Sequence, residues 1–279
     1  MSTSTEAVCE VRQEASQTPI VLQNPAEPLP AKRPPIVFVH IPKTAGTSFS
    51  NYMLSSIAPD QVSAPFHGNW STLQIDNPDI RFFWGHFAFR HADTRFANAY
   101  FITFIRDPIQ RAISQYRSWH NPANFMPGDG WYENASDVVR QTLTFAQRST
   151  LEEFVHCNET FQSIILRNIS NLQTMMLASH VSTECNETLA SAVYSLFHRF
   201  CFFGVAERFE ESLLLLREQF PELPQYNLLP DRENRSAGEA PVIHPSVRRR
   251  LGQLNSLDSV LYDNARRVFD KRLRKAGIR

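Results

Sequence analysis

Residues 36–49 read IVFVHIPKTAGTSF, and this stretch decides the fold. Its first part, residues 36–41, is apolar and rich in β-branched side chains, which is typical of a buried strand. The run breaks at Pro42, passes through a short loop and continues into a predicted helix over residues 47–57. A helix start leaves backbone N–H groups without intrahelical partners, and the helix dipole favours negative charge there. The stretch therefore predicts a cradle for a phosphate-like group.

The side chains of the loop strengthen this prediction. Lys43 adds a positive charge, and Gly46 lets the backbone come close to a ligand because it has no Cβ. Hydroxyl donors are supplied by Thr44, Thr47 and Ser48. The loop is not a Walker A motif, because that motif places its lysine after the second glycine and Lys43 precedes Gly46. An ordinary strand-to-helix turn with an exposed lysine remains the alternative interpretation.

A second strand, loop and helix occur in residues 100–119, YFITFIRDPIQRAISQYRSW. Arg106 directly follows the predicted strand, and Pro108 suits the first turn of the following helix. Ser114 lies two turns into that helix, so that it and Arg106 are expected to converge on one anion. Ligands of parallel sheets bind beyond the carboxyl ends of the strands, which places both candidate anion sites on one edge. Two further arginines of the helix, Arg111 and Arg117, are expected on a solvated face.

The rest of the chain alternates between short apolar runs and helical patterns. Strands are predicted over residues 36–41, 80–85, 100–105 and 201–205, and helices over residues 47–57, 108–119, 150–157, 160–178, 187–198, 207–219, 245–253 and 256–275. This order predicts an α/β fold, P-loop-like and three-layered, with a mostly parallel central sheet flanked by helices. Residues 36–279 are expected to form a single domain. Residues 1–35, rich in Ser, Thr, Gln, Glu and Pro, are expected to be a disordered leader.

Composition and charge exclude several classes of function. The chain has 279 residues, 28 basic and 28 acidic, so that a nucleic-acid partner is not expected. The chain contains no apolar run of about 18 residues, so that no membrane-spanning segment is predicted. The four cysteines show no spacing typical of a metal site, and no metal is expected. The expected location is cytoplasmic, or the Golgi lumen if a native anchor precedes this chain.

The two anion-binding segments together carry a resemblance to a known family. PKTAGTSF followed by IRDPIQRAISQY resembles the phosphosulfate loop and the 3′-phosphate segment of sulfotransferases that use 3′-phosphoadenosine 5′-phosphosulfate (PAPS). The form H-x-P-K-T-x-G-T-[ST]-F is similar to the membrane-type carbohydrate enzymes, such as the heparan 2-O-sulfotransferase group, and their bacterial relatives. Further similar segments are WGHFAF (84–89), ISNLQTMMLA (169–178), FFGVAERFEESLLLL (202–216) and LNSLDSVLYDNARRVF (254–269).

The resemblance implies transfer of a sulfuryl group to a hydroxyl, with 3′,5′-ADP as the product and without a metal. Lys43 would stabilise charge on the leaving phosphate, and Arg106 with Ser114 would hold the 3′-phosphate. The 5′-phosphate would be held by the loop amides of Ala45, Gly46, Thr47 and Ser48. His86, in a G-H-F setting after an apolar run, is the expected general base, and His40 is the second candidate. A late loop, DRENRS (231–236), would cover the nucleotide through Asn234, Arg235 and Ser236.

Two other classes of function stay open at this point. One is an ATP-dependent P-loop kinase-like phosphotransferase, and the other is a non-catalytic nucleotide-binding protein of the same fold. The acceptor is expected to be a sugar or a small hydroxylated natural product, and a homodimer is left open. Aromatic side chains that would line either an acceptor cleft or the core are Trp70, Trp84, Phe87, Phe89, Trp119 and Trp131.

Overall fold

The computed structural model describes residues 33–66, 68–125, 134–157, 159–221, 223 and 243–278. Its strands are β1 (Ile36–Val39), β2 (Phe82–Gly85), β3 (Tyr100–Ile105) and β4 (Phe200–Val205). Its helices are α1 (Gly46–Ser56), α2 (Phe89–Asp93), α3 (Pro108–His120), α4 (Asp137–Arg148), α5 (Leu151–Val155), α6 (Glu159–Ile169), α7 (Leu172–Leu177), α8 (Cys185–His198), α9 (Phe209–Gln219), α10 (Pro245–Leu254) and α11 (Ser256–Ala276).

The four strands form one parallel sheet in the spatial order β2-β1-β3-β4. In register, Ile36 of β1 lies beside Phe82 of β2 and Tyr100 of β3. From β1 the chain crosses to one side of the sheet, and from β3 it crosses to the other side. The carboxyl ends of β1 and β3 therefore flank a topological switch point, which is where open α/β sheets bind their ligands.

The strands are buried on both faces, as expected for a parallel sheet covered by helices. All four residues of β1 are buried, and so are residues 101–105 of β3. Phenylalanine supplies much of the packing, for example in the contact between the rings of Phe49 and Phe104, whose centroids lie 4.9 Å apart. This two-sided burial, together with the parallel sheet and its flanking helices, confirms the predicted fold class.

A second apolar cluster lies among the helices that follow β3. It contains Ile113 and Trp119 of α3, Leu143 of α4, Phe154 of α5 and Leu251 of α10. Because this cluster packs against α3, it fixes the helix that begins directly after the candidate anion-binding strand end. The start of α3 is capped by the side chain of Asp107, which accepts from Gln110 N at 2.8 Å.

Most predicted elements are confirmed, with boundaries that differ by a few residues. The predicted helix over residues 160–178 is instead two helices, α6 and α7, separated at Asn171. Asn171 adopts a left-handed conformation with φ of 45°, and its side chain accepts from the first N–H groups of α11. Helix α4 was not predicted, because its sequence follows a loop-like stretch rich in Asn, Pro and Gly.

The extent of the domain and the disordered leader stay predictions, since residues 1–32 lie outside the described part of the chain. Over the residues that are described, no helix combines the length and apolar character needed to cross a membrane.

Candidate functional site

The loop between β1 and α1 is held in an uncommon backbone conformation. Lys43 and Ala45 have φ of 69° and 67°, in the left-handed region that residues with a Cβ seldom adopt. Such backbone conformations cost on the order of 1–3 kcal/mol each and cluster at ligand sites. Ala45 immediately precedes helical Gly46, an arrangement that turns successive N–H groups toward one concavity and favours an anion.

Thr44 stabilises this loop from inside. Its side chain is fully buried, and its hydroxyl donates to the carbonyl of Ile41 at 2.8 Å. The predicted hydroxyl contact from Thr44 to a ligand is therefore not supported by the structure, because that hydroxyl already closes the turn. Thr47 is exposed and Ser48 is half-buried, both on the first turn of α1.

Gly46 is required by its neighbour His40. A Cβ built on Gly46 would lie 1.9 Å from two atoms of the His40 ring. His40 is buried and stacks on Phe38, with ring centroids 5.2 Å apart. Gly46 was expected to allow close approach of a ligand, and in the structure its missing side chain makes room for the His40 imidazole.

His86 lies directly beyond the end of β2 and is exposed at the same sheet edge. Its Nδ1 lies 2.8 Å from the carbonyl oxygen of His40, and the two imidazole centroids are 4.2 Å apart. A carbonyl only accepts, so Nδ1 carries the proton of the neutral ring and Nε2 carries the lone pair. This tautomer is the one that a general base acting through Nε2 requires.

Burial distinguishes the two histidines. Burial lowers the pKa of His40 well below its usual 6.5, and the nearby His86 and Lys43 lower it further. His40 is therefore a neutral packing group at physiological pH. The ranking of His86 over His40 as the base stays a prediction.

Arg106 joins the two predicted anion-binding segments. From the end of β3, its Nη1 donates to the carbonyl of Lys43 at 3.1 Å, across 63 residues of sequence. The structure therefore brings Lys43 and Arg106 together, as their positions after neighbouring parallel strands predicted. Because the bond ends on Lys43, it also supports the left-handed backbone of the loop.

Lys43 and Arg106 place two positive charges at this edge, and the carboxylates of Glu207 and Asp107 partly compensate that of Arg106. Burial lowers the pKa of Lys43 and of Arg106, and each cation lies in surroundings that disfavour its charged form. The nearest carboxylate to Arg106 is Glu207, with its Oε1 3.9 Å from Arg106 Nε. An anion bound between Lys43 and Arg106 would offset both penalties, which is the electrostatic signature of a functional site.

Three polar residues that support Arg106 were not predicted as site residues. Gln173 hydrogen-bonds the main chain of Arg106, and Glu207 accepts from Asp107 N at 2.9 Å. Tyr262 donates to the other oxygen of Glu207 at 3.0 Å. Each lies far from Arg106 in the sequence, and although the family-like segments 169–178, 202–216 and 254–269 contain these residues, nothing in them indicates a contact with Arg106.

The remaining predicted residues have different outcomes. Ser114 is half-buried on α3, and its hydroxyl has no hydrogen-bond partner within the described ranges. Asn234, Arg235 and Ser236 lie outside the described residues. The prediction that Arg111 lies on a solvated face is wrong: its side chain is fully buried and donates to the carbonyl of Asn168 at 3.0 Å.

Some of the aromatic candidates for the acceptor cleft lie in the core, and others are only half-buried. Phe87, Phe89 and Trp119 are buried in the apolar clusters, which excludes them as an open cleft wall. Trp70 and Trp84 are half-buried, and Arg95 lies 4.4 Å from the centre of the Trp70 ring. Trp131 lies outside the described residues.

No group of three or more His, Cys, Asp or Glu side chains in the described ranges is arranged to hold a metal ion. Cys157 is a free thiol.

Comparisons with known proteins agree on one class of enzyme. A family model described as "Sulfotransferase family" matches residues 29–264. Heparan-sulfate 6-O-sulfotransferase 3-B of Danio rerio is 23% identical over 276 residues, which cover 85% of this chain and 64% of the relative. Heparan-sulfate 6-O-sulfotransferase 3 of Homo sapiens is 23% identical, over 85% of this chain and 58% of the relative. The chain thus spans about three fifths of the length of these two relatives.

A solved structure of mouse sulfotransferase SULT7A1 complexed with PAP is also similar. The two sequences are 14% identical, and the match covers 83% of this chain and 67% of the mouse chain, with a TM-score of 0.38. This likeness is too distant to carry an argument about the site.

Proposed function

Because the chain belongs to the sulfotransferase family, we propose that it transfers a sulfuryl group from PAPS to a hydroxyl of a carbohydrate or hydroxylated small molecule. The observation that carries the proposal is the hydrogen bond between Arg106 Nη1 and the carbonyl of Lys43 at the switch point. It joins the two segments that a nucleotide with phosphates at both 3′ and 5′ positions would need together.

The binding roles follow from the placement of the cations and of the helix start. Amides of residues 45–48 are the donors for the 5′-phosphate, since they belong to the first turn of α1 and its cap. Arg106 supplies charge-assisted hydrogen bonds to the 3′-phosphate, and Ser114 supplies a hydroxyl. The half-buried Lys43 and Arg106, whose charged forms burial disfavours, support an anionic ligand at this edge.

The chemical roles fall to Lys43 and His86. Bound PAPS supplies the activated sulfur, and the reaction forms an S–O bond to the acceptor while breaking the S–O bond to the phosphate. Lys43 stabilises the charge that grows on the leaving phosphate oxygen. His86 Nε2 takes the proton of the acceptor hydroxyl, and the carbonyl of His40 holds the ring in the required tautomer.

The acceptor is the least constrained part of the proposal. The relatives are named for heparan sulfate, which supports a sugar hydroxyl as the target here. Their names specify 6-O-sulfation, whereas the motifs alone resembled the 2-O group. Trp70 is half-buried, with Arg95 4.4 Å from its ring centre, and its contact with an acceptor stays a prediction.

The family match gives no support to the kinase-like or the non-catalytic alternative. The cytoplasmic location, the homodimer and the roles of Asn234, Arg235 and Ser236 stay predictions.

An acceptor screen with isotope-labelled PAPS and mass-spectrometric detection tests the proposal. The panel contains heparan sulfate, unsulfated heparosan, simple sugars and a nitrophenol, and the Lys43→Ala variant is the inactive control. We expect labelled sulfate on at least one sugar acceptor with the wild-type protein only. Binding of 3′,5′-ADP without transfer to any acceptor would favour the non-catalytic alternative.

A further inference from the structure

Gln173 clamps the main chain of Arg106. Its Nε2 donates to the carbonyl of Arg106, and its Oε1 accepts from the N–H of Arg106, both at 2.8 Å. The side chain is buried and lies 67 residues away in sequence. Arg106 follows the last residue of β3, so that these two bonds replace the ladder bonds that a longer strand would provide.

Gln173 is itself fixed by a pair of helix starts that cap each other. Asp258 of α11 accepts from Gln173 N at 3.1 Å and from Thr174 N at 2.7 Å, at the beginning of α7. In return, Asn171 before α7 accepts from Leu257 N at 3.0 Å and from Asp258 N at 3.2 Å, at the beginning of α11. Each side chain satisfies donors that a helix start leaves open, and the carboxylate complements the helix dipole.

This reciprocal cap lies away from water. Gln173 and Asp258 are buried, and the fully buried Arg111 lies close enough to influence the charge of Asp258. Burial raises the pKa of Asp258, an effect that the Arg111 guanidinium opposes. Burial also lowers the pKa of Arg111 to about 10. Polar groups held in such surroundings are costly to leave unpaired, so the geometry of the cap and of Gln173 is strongly specified.

We propose that Gln173 is a positioning residue for the nucleotide: it fixes the Arg106 peptide so that the guanidinium reaches both the Lys43 carbonyl and the 3′-phosphate. Gln173 touches neither the nucleotide nor the reacting atoms in this arrangement. It acts through Arg106, and the cap formed by Asp258 and Asn171 holds it in place. The inference rests on the proposed function, since it gives Arg106 the 3′-phosphate as ligand.

The test is the preference for 3′,5′-ADP over 5′-AMP, measured by calorimetry on full-length protein. Gln173→Met keeps the size of the side chain and removes both bonds to Arg106. We expect the ratio of the two affinities to fall about three- to tenfold, with 5′-AMP binding changed less than about threefold. If Gln173 had only a structural role, its replacement would weaken the binding of both nucleotides alike and leave the affinity ratio unchanged.

Gln115→Met is the matched control. Gln115 is also a buried glutamine, on α3, and among the described residues its Oε1 has no hydrogen-bond partner. It makes no hydrogen bond to Arg106, so its replacement should leave the affinity ratio within about twofold of the wild-type value.

Gln173→Glu provides a second variant if Gln173→Met does not fold. It keeps an acceptor for Arg106 N but removes the donor to the Arg106 carbonyl, and we expect a decrease of about threefold or more in the same ratio. A wild-type ratio in the folded Gln173 variant overturns the positioning role. A wild-type protein without any preference contradicts the proposed function itself, which separates the two failures.

Discussion

The two anion-binding segments are built in opposite ways. The Lys43 loop is local: Thr44 bonds to Ile41, His40 packs on Gly46, and these contacts lie within seven consecutive residues. The Arg106 segment is non-local. Its main chain is held by Gln173, its neighbour Asp107 bonds to Glu207, and its guanidinium bonds to Lys43.

The two segments therefore differ in which substitutions should disturb them. The loop depends on a left-handed backbone and on one glycine, so that its shape is encoded where it is used. The Arg106 end depends on contacts that span 63–100 residues, so that changes in several distant helices reach it. We therefore expect chemistry to be sensitive to the loop side, and nucleotide selectivity to be sensitive to the Arg106 side.

The largest expected effect belongs to His86. His86→Ala should lower kcat by roughly 10²- to 10⁴-fold on an acceptor from the screen, because a positioned base contributes that much. Binding of 3′,5′-ADP should survive. An acidic acceptor hydroxyl, as in a nitrophenol, should restore part of the rate.

His156→Ala is the control for this prediction, since His156 is exposed and bonds to the carbonyl of Glu152 within its own helix end. Its kcat should stay within about twofold of wild type. Near-normal turnover by His86→Ala would show that another group acts as the base.

Lys43→Ala should lower kcat by at least about 100-fold, while the affinity for 3′,5′-ADP changes much less. The reason is that the ammonium acts on charge that develops only as the S–O bond breaks. Steady-state kinetics and calorimetry on the same variant separate the two quantities. Equal losses in turnover and in product affinity would show that Lys43 serves general binding, and the contrast between the two segments would fail.

Arg106→Ala should act mainly on selectivity. Loss of a charge-assisted contact costs about 1.5–3 kcal/mol, which corresponds to a decrease in 3′,5′-ADP affinity of about 10- to 150-fold. Affinity for 5′-AMP should decrease by only about fivefold, through the lost bond to the Lys43 carbonyl. Similar losses for both nucleotides would mean that Arg106 supports the loop and does not read the 3′-phosphate.

The smallest expected effect concerns His40 and pH. Because burial lowers its pKa below 6.5, the unfolded chain binds the proton more readily than the folded protein. The stability from neutral His40 is fully present above about pH 6.5 and is lost as the pH falls toward its lowered pKa. The Tm advantage of wild type over His40→Gln should therefore narrow by about 2 °C or more between about pH 8 and pH 5. A Tm difference between wild type and His40→Gln that does not change with pH would contradict a lowered pKa of His40.

The same contrast explains how much could be predicted from sequence. Contiguous sequence patterns predict the strand, loop and helix of residues 36–57 and the strand end at Arg106. The structure places both segments where the sequence predicted them. Gln173 and Glu207 were not assigned to the site, because a buried glutamine or a carboxylate at a strand end has no local signature. The break at Asn171 was missed because its cause is a cap on α11, 86 residues away.

Arg111 shows the limit of helical periodicity. Arg111 and Arg117 lie on the same helix, α3, but Arg117 is half-buried whereas Arg111 is fully buried near Asp258, which belongs to the last helix. Only the tertiary packing of α11 against α3 brings that charge to Arg111. A charged residue in an amphipathic pattern therefore says little about exposure until its long-range partner is known.

The central claim is that Lys43 and Arg106 bind one nucleotide phosphorylated at both the 3′ and the 5′ positions. Calorimetry on the wild-type protein with 3′,5′-ADP, 5′-AMP and ATP tests it most directly. The account predicts that 3′,5′-ADP binds at least about tenfold more tightly than 5′-AMP, and that ATP with Mg²⁺ gains no such advantage. Equal affinity for 3′,5′-ADP and 5′-AMP, or a preference for ATP, would contradict it.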